Sequence, residues 1–270
     1  MRRSRLVGFL SSLFLAVGVT LTGVASAQTS QQLAPGGYVA LGDSYSSGVG
    51  AGSYISASGD CKRSTKAYPQ LWATAHAPSS FSFTACAGAR TGDVVAGQLA
   101  PLSAATELVS ITVGGNDAGF GDAMTTCVLQ SDSACLDRIA TARAYVESTL
   151  PGRLDSVYTA IRDKAPNARV VVLGYPRFYK LGTTCIGLSE TKRKAINDGS
   201  DLLNTTIAKR AADHGFVFGD VRTTFTGHEI CSGSSWLHSV NWLNTSESYH
   251  PTAAGQSSGY LPVLNSADNV

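Results

Sequence analysis

Tyr38-Val39-Ala40-Leu41-Gly42-Asp43-Ser44 is the stretch from which the rest of the chain can be read. An apolar run closed by a glycine is a buried strand. The chain must then turn sharply. A serine at such a turn presents its hydroxyl outward, and its amide faces any negative charge that develops beside it. Comparable runs bounded by turn residues recur at Phe81 to Thr84, Leu108 to Val113, Val170 to Leu173 and Phe216 to Phe218, with helical stretches between them. Strands alternating with helices predict the α/β class, with a parallel sheet of about five strands covered on both faces. The clearest helix spans about Glu190 to Asp213, with Ser189 as N-cap, Lys209 and Arg210 in its last turns and Gly215 as its stop. A second covers much of Leu136 to Lys164, with an interruption expected at Pro151-Gly152.

On an open α/β sheet, ligands bind beyond the carboxyl ends of the strands. Three short segments follow predicted strands directly: Gly42-Asp43-Ser44 the first, Ala87-Gly88-Ala89 the second, and Gly114-Gly115-Asn116-Asp117 the third. They should gather along one edge. With Tyr249-His250-Pro251 they supply the parts of an acyl-transfer site. Ser44 can attack a carbonyl and His250 can take its proton, while the Ser44 and Gly88 amides and the Asn116 side chain hold the oxyanion. Each residue alone has a plainer reading: Ser44 as a turn or N-cap residue, Gly88 as a turn glycine, Asn116 as a loop or cap residue. It is their common edge that favours a serine esterase. Among the histidines, His76, His214, His228 and His238 have adequate structural explanations, whereas His250 sits in a loop just ahead of Pro251 and the final helix.

The N-terminus reads as an export signal over residues 1–27. Arg2, Arg3 and Arg5 precede an uncharged stretch that ends in Ala25-Ser26-Ala27, so cleavage is expected after Ala27, with trimming toward Pro35 open. Residues 28–270 then form a single domain. Losing those three arginines moves the formal charge from +2 to −1, which leaves no basic excess for nucleic acid or anionic lipid. The leader is short for a span and broken by Gly8 and Gly18, so stable membrane insertion is not expected. All six cysteines, Cys61, Cys86, Cys127, Cys135, Cys185 and Cys231, lie beyond the leader, and an even count in an exported chain favours three disulfides. Their spacing gives no metal site, and only Cys127 with Cys135 is favoured locally.

The four blocks Ala40 to Gly48, Ala85 to Ala89, Thr112 to Asp117 and Tyr249 to Thr252 together resemble the GDSL/SGNH hydrolases, specifically the small secreted lipases and esterases of actinomycetes. The likeness runs from Tyr38 to Leu261. It implies a three-layer, flavodoxin-like α/β/α fold, a reaction without metal or cofactor, and Ser44, Gly88, Asn116 and His250 in the roles above. It also implies sequential disulfides: Cys61 to Cys86, Cys127 to Cys135, and Cys185 to Cys231. One position departs from the family pattern. Most relatives carry Asp three residues before the histidine, and this chain has Glu247. A backbone carbonyl of Glu247 or Ser248 is therefore favoured over the longer carboxylate as the group that orients His250.

Tyr45, Phe120 and the stretch from Tyr175 to Tyr179 could line a groove for an acyl chain, and no long apolar insertion resembles a lid. The expectation is a secreted, monomeric hydrolase of lipid esters, either a triacylglycerol lipase or carboxylesterase, with phospholipase A1 as an alternative. Removal of acetyl groups from polysaccharide is a further alternative, with Trp236 and Trp242 as a sugar platform.

Overall fold

A computed structural model describes residues 36–268. The expected leader and its cleavage site lie outside the described residues. Five strands, β1 (Gly37–Gly42), β2 (Ser80–Phe83), β3 (Thr106–Thr112), β4 (Arg169–Leu173) and β5 (Val217–Gly219), form one parallel sheet in the order β2-β1-β3-β4-β5. β1 and β4 read as near-continuous apolar runs because helices cover both faces, and β3 is buried along all of its length but Glu107. Buried Ser110 in β3 is no exception, since its hydroxyl pairs with that of Tyr38 at 2.6 Å.

The helices are α1 (Ser44–Ser47), α2 (Tyr68–His76), α3 (Thr91–Gly97), α4 (Phe120–Leu129), α5 (Asp132–Ser148), α6 (Leu150–Lys164), α7 (Glu190–Asp213) and α8 (Leu261–Asp268). Parallel crossovers are right-handed. The chain moves one way from β1 to β2 and the other way from β2 through to β5, so α2 covers one face and α3, α6 and α7 the other. α8 joins α2 and packs on β4 and β5. On α6, Leu150, Leu154, Val157, Tyr158 and Ile161 recur at helical spacing and are wholly buried. Leu154→Ala would cost about 2–5 kcal/mol.

The break between α5 and α6 falls at Thr149, not at Pro151-Gly152. Pro151 lies in the first turn of α6, where a missing N–H leaves no bond unmade, so the proline starts the helix instead of interrupting it. Disulfides join Cys61 to Cys86, Cys127 to Cys135 and Cys185 to Cys231. The first braces the segment that carries Gly88, and the second clamps α4 to α5. Among the described residues no helix is long and apolar enough to cross a membrane.

β1 lies between β2 and β3, so successive connections leave it in opposite directions and a crevice opens at the carboxyl end of the sheet. Ser44, Gly88 and Asn116 follow β1, β2 and β3 around that crevice.

Candidate active site

The turn that carries Ser44 is built from the sheet. Gly42 ends β1 with φ +120°, and a Cβ there would collide with the Thr112 carbonyl, so only glycine lets β1 approach β3 this closely. Asp43 then caps the single turn of α1 and is buried. Its carboxylate accepts from the Tyr45 amide at 3.0 Å, the Thr112 hydroxyl at 2.6 Å and the Tyr175 hydroxyl at 2.5 Å. Burial pushes its pKa up to about 6 despite those three donors. Tyr175 in turn accepts from the Gly115 amide at 3.2 Å, which links the serine turn to the asparagine segment.

The amides of Ser44 and Gly88 have no acceptor among the described residues. Asn116 donates one side-chain hydrogen to the Ala89 carbonyl at 3.0 Å, which fixes the amide and leaves its second hydrogen free to donate. Asp117 accepts from the Thr91 amide at 3.0 Å and the Thr91 hydroxyl at 2.6 Å, tying the asparagine segment to the start of α3.

His250 arrives from outside the sheet. Its Nε2 lies 2.8 Å from Ser44 Oγ, and its Nδ1 lies 3.0 Å from the Ser248 carbonyl. A carbonyl only accepts, so Nδ1 carries the proton and Nε2 is free to take one from the serine. The Glu247 carboxylate points elsewhere, accepting from the Tyr54 hydroxyl at 2.7 Å, and Tyr54 accepts from the Gly50 amide at 3.0 Å. Tyr45, next to Ser44, donates to the Tyr249 carbonyl at 2.7 Å. That bond helps hold Tyr249 at φ +67°, a conformation that costs free energy in a bulky residue. Gly50, at φ +88°, passes so close beneath the loop that a Cβ would sit 3.0 Å from the His250 Cβ. Burial pushes the His250 pKa down to about 4. The Ser248 carbonyl opposes that shift, and nearby His238 and Lys62 reinforce it.

The other histidines are engaged structurally. His76 bonds the Trp72 carbonyl, His214 pairs with Asp155, His228 stacks on Trp236 at 3.5 Å, and His238 bonds the Gly50 carbonyl beside the site.

Ser44, Gly88, Asn116, Ser248 and His250 line one cavity of about 830 Å³. Tyr45, Phe120, Tyr175 and Phe178 line it too. It continues past them between α4, α5 and α7, along Met124, Val128, Ile139, Val146, Ile196 and Leu203. Trp242 stands at its edge, whereas Trp236 is packed between His228 and Phe225 and lines no part of it. The two tryptophans therefore do not make a shared platform. Among the described residues no group of three or more His, Cys, Asp or Glu could hold a metal ion.

The GDSL-like lipase/acylhydrolase family model matches residues 40–257. The chain belongs to that family. It is 79% identical to Lipase 1 of Streptomyces coelicolor over 267 residues, covering 99% of this chain and all of the relative. Among solved structures, phospholipase A1 from Streptomyces albidoflavus is 68% identical with a TM-score of 0.86, covering 87% of this chain and all of that one. An extracellular lipase from Streptomyces rimosus is 69% identical with a TM-score of 0.84, covering 86% of this chain and 99% of that one. Membership of this family makes the chain a carboxylic ester hydrolase.

Sequence reasoning missed the supports of the site: the Asp43, Thr112 and Tyr175 cluster, the bond from Tyr45 to Tyr249, and the bond from Tyr54 to Glu247. Asp43 and Tyr45 flank Ser44 and could have been suspected on that ground. Tyr54 carries no local signal, because its partner lies 193 residues away.

Proposed function

We propose that the protein is a secreted serine hydrolase of lipid esters, with Ser44 as nucleophile, His250 as general acid and base, and the Ser44 and Gly88 amides with Asn116 as oxyanion donors. The observation that carries this reading is the 2.8 Å contact between Ser44 Oγ and His250 Nε2 at one end of a long, mostly apolar cavity. In the first half-reaction Ser44 Oγ attacks the ester carbonyl while Nε2 takes its proton, and the oxyanion rests on the three donors. His250 then protonates the departing alcohol. Water, deprotonated by the same nitrogen, attacks the acyl-enzyme and frees the acid and Ser44. The Ser248 carbonyl holds the tautomer that this sequence needs, so the reading is of a Ser-His dyad in which Glu247 takes no direct part.

Three disulfides and the extracellular Streptomyces relative support secretion. Every group of the site comes from one chain, which suits a monomer. A phospholipase A1 reading is favoured by the relative of that description.

The test is hydrolysis of nitrophenyl esters from acetyl to palmitoyl, beside phosphatidylcholine and a triacylglycerol emulsion, with Ser44→Ala as control. Serine-dependent activity that extends to long chains is expected, and the ratio of phospholipid to triglyceride rates names the main class. Activity confined to acetyl esters would overturn the lipid reading in favour of carbohydrate deacetylation.

A further inference from the structure

Two of the most exposed apolar side chains stand together beside the cavity. Trp242 is 67% exposed and Leu243 is fully exposed, and Leu129, at the end of α4 and on the cavity lining, is 65% exposed. The loop that carries the pair is not slack. The Leu243 and Asn244 amides both donate to Asn241 Oδ1 at 3.1 Å, and the Asn241 amide donates to Ser248 Oγ at 2.8 Å. Lys62 reaches across to Ser246 Oγ at 2.6 Å. A network of hydrogen bonds thus holds an apolar tip in water, an arrangement that marks a contact surface.

We infer that Trp242 and Leu243 form an anchor that seats the cavity mouth on the surface of a lipid aggregate. The inference rests on the lipid-ester reading of the site. An insoluble ester is packed among others of its kind, so its acyl chain must pass from the aggregate to the cavity. A mouth pressed against the aggregate spares that chain a passage through water. Indole is suited to the boundary, with an apolar body and one N–H donor for the polar layer. Of the other two tryptophans, Trp72 lies in the core and Trp236 is half-buried, stacked on His228 away from the cavity. Leu243 precedes Ser248 by five residues, so the docked surface lies beside the carbonyl that orients His250.

Binding is tested with Ser44→Ala protein and dioleoylphosphatidylcholine vesicles, so that no lipid is consumed. Tryptophan emission should shift to the blue on adding vesicles, and Trp242→Phe should remove the shift while vesicles still sediment the protein. Leu243→Asp should weaken sedimentation by about tenfold or more, since a charge there resists burial. In the otherwise unaltered enzyme, Leu243→Asp should slow hydrolysis of the vesicles by a similar factor and change the rate on dissolved nitrophenyl butyrate less than twofold. Undiminished vesicle binding by Leu243→Asp would overturn the anchor, as would an equal loss on the dissolved ester. If the unaltered enzyme left dissolved esters intact, the catalytic reading would fail, while the sedimentation result would still decide the anchor.

Discussion

The Ser44 turn and the histidine loop meet through hydrogen bonds made by Ser44 and Tyr45 and are held by different kinds of structure. Ser44 opens α1 just past the end of central strand β1, and its neighbours Asp43 and Ser46 are locked to β3 through Thr112. His250 belongs to no strand of the sheet. Its segment makes an isolated bridge between Leu237 and Pro251 and a further backbone bond, from the Tyr249 amide to the His238 carbonyl, and is also held by side chains from far along the chain: Tyr45 to the Tyr249 carbonyl, Tyr54 to Glu247, and His238 to Gly50. The sheet therefore sets the position of the serine, whereas a few individually modest contacts set that of the histidine. Substitutions in the two regions should fail differently, with lost chemistry in the first and loosened geometry in the second.

The largest effect is expected where the two regions touch. His250→Ala should lower kcat by about 10⁴ or more, with Ser44 left without a base. Asn116→Ala comes next on the sheet side. Loss of one preorganised donor should lower kcat by about 10² to 10³ with the melting temperature nearly unchanged, because the side chain's one bond, to Ala89, is half-buried. Normal turnover in that variant would remove Asn116 from the oxyanion site.

Tyr45→Phe sharpens the contrast. It keeps the ring against His250 and Tyr175 but leaves the buried Tyr249 carbonyl without its donor. Stability should fall by about 1–3 kcal/mol, and kcat should fall about tenfold as the histidine loop loosens. If kcat held while stability fell, Tyr45 would support the fold and not the base. Glu247→Ala should do less, a few-fold loss in kcat, because it frees one edge of the loop and leaves the Ser248 carbonyl in place. A loss of several hundredfold would mean that the carboxylate reaches the imidazole during turnover and that the dyad reading is wrong.

The same contrast explains what could be read beforehand. The strands, their order of use and the three residues at their ends follow from local pattern, since an apolar run, a glycine and a small polar residue are adjacent in the chain. Ser189 and the long α7 were legible for the same reason: the cap lies three residues from the amide it satisfies. The supports of His250 were not. Tyr45 and Tyr249 are 204 residues apart, and nothing local to either marks the pair. Glu247 occupies a position that suggests a triad carboxylate, and only the path of the Thr245–Glu247 turn sends its side chain to Tyr54. The deep end of the cavity was hidden too, because apolar residues of α4, α5 and α7 read as ordinary core.

The two regions also titrate in opposite senses. His250, half-buried and neutral, has its pKa lowered from 6.5 to about 4, chiefly by desolvation. As pH falls through that window the unfolded chain takes up a proton that the folded one refuses, so stability is lost, by up to roughly 3 kcal/mol. Asp43 has its pKa raised from 3.8 to about 6. Over its window the folded chain takes up the proton first, so stability is gained as pH falls, by up to roughly 3 kcal/mol. Between about pH 6 and 4 the two nearly cancel, and their combined effect on the melting temperature of the intact enzyme should be close to nil. His250→Ala removes one side of the balance, so relative to the intact enzyme its melting temperature should rise as pH is lowered from 6 to 4. A parallel course for the two proteins would mean that the imidazole titrates as it would in water. Turnover gives an independent reading: with a base that stays neutral down to about pH 4, kcat/KM at pH 5 should keep about nine-tenths of its neutral value. An acid limb near 6.5 would show that the substrate-free cleft hydrates the imidazole and that burial is not what sets its basicity.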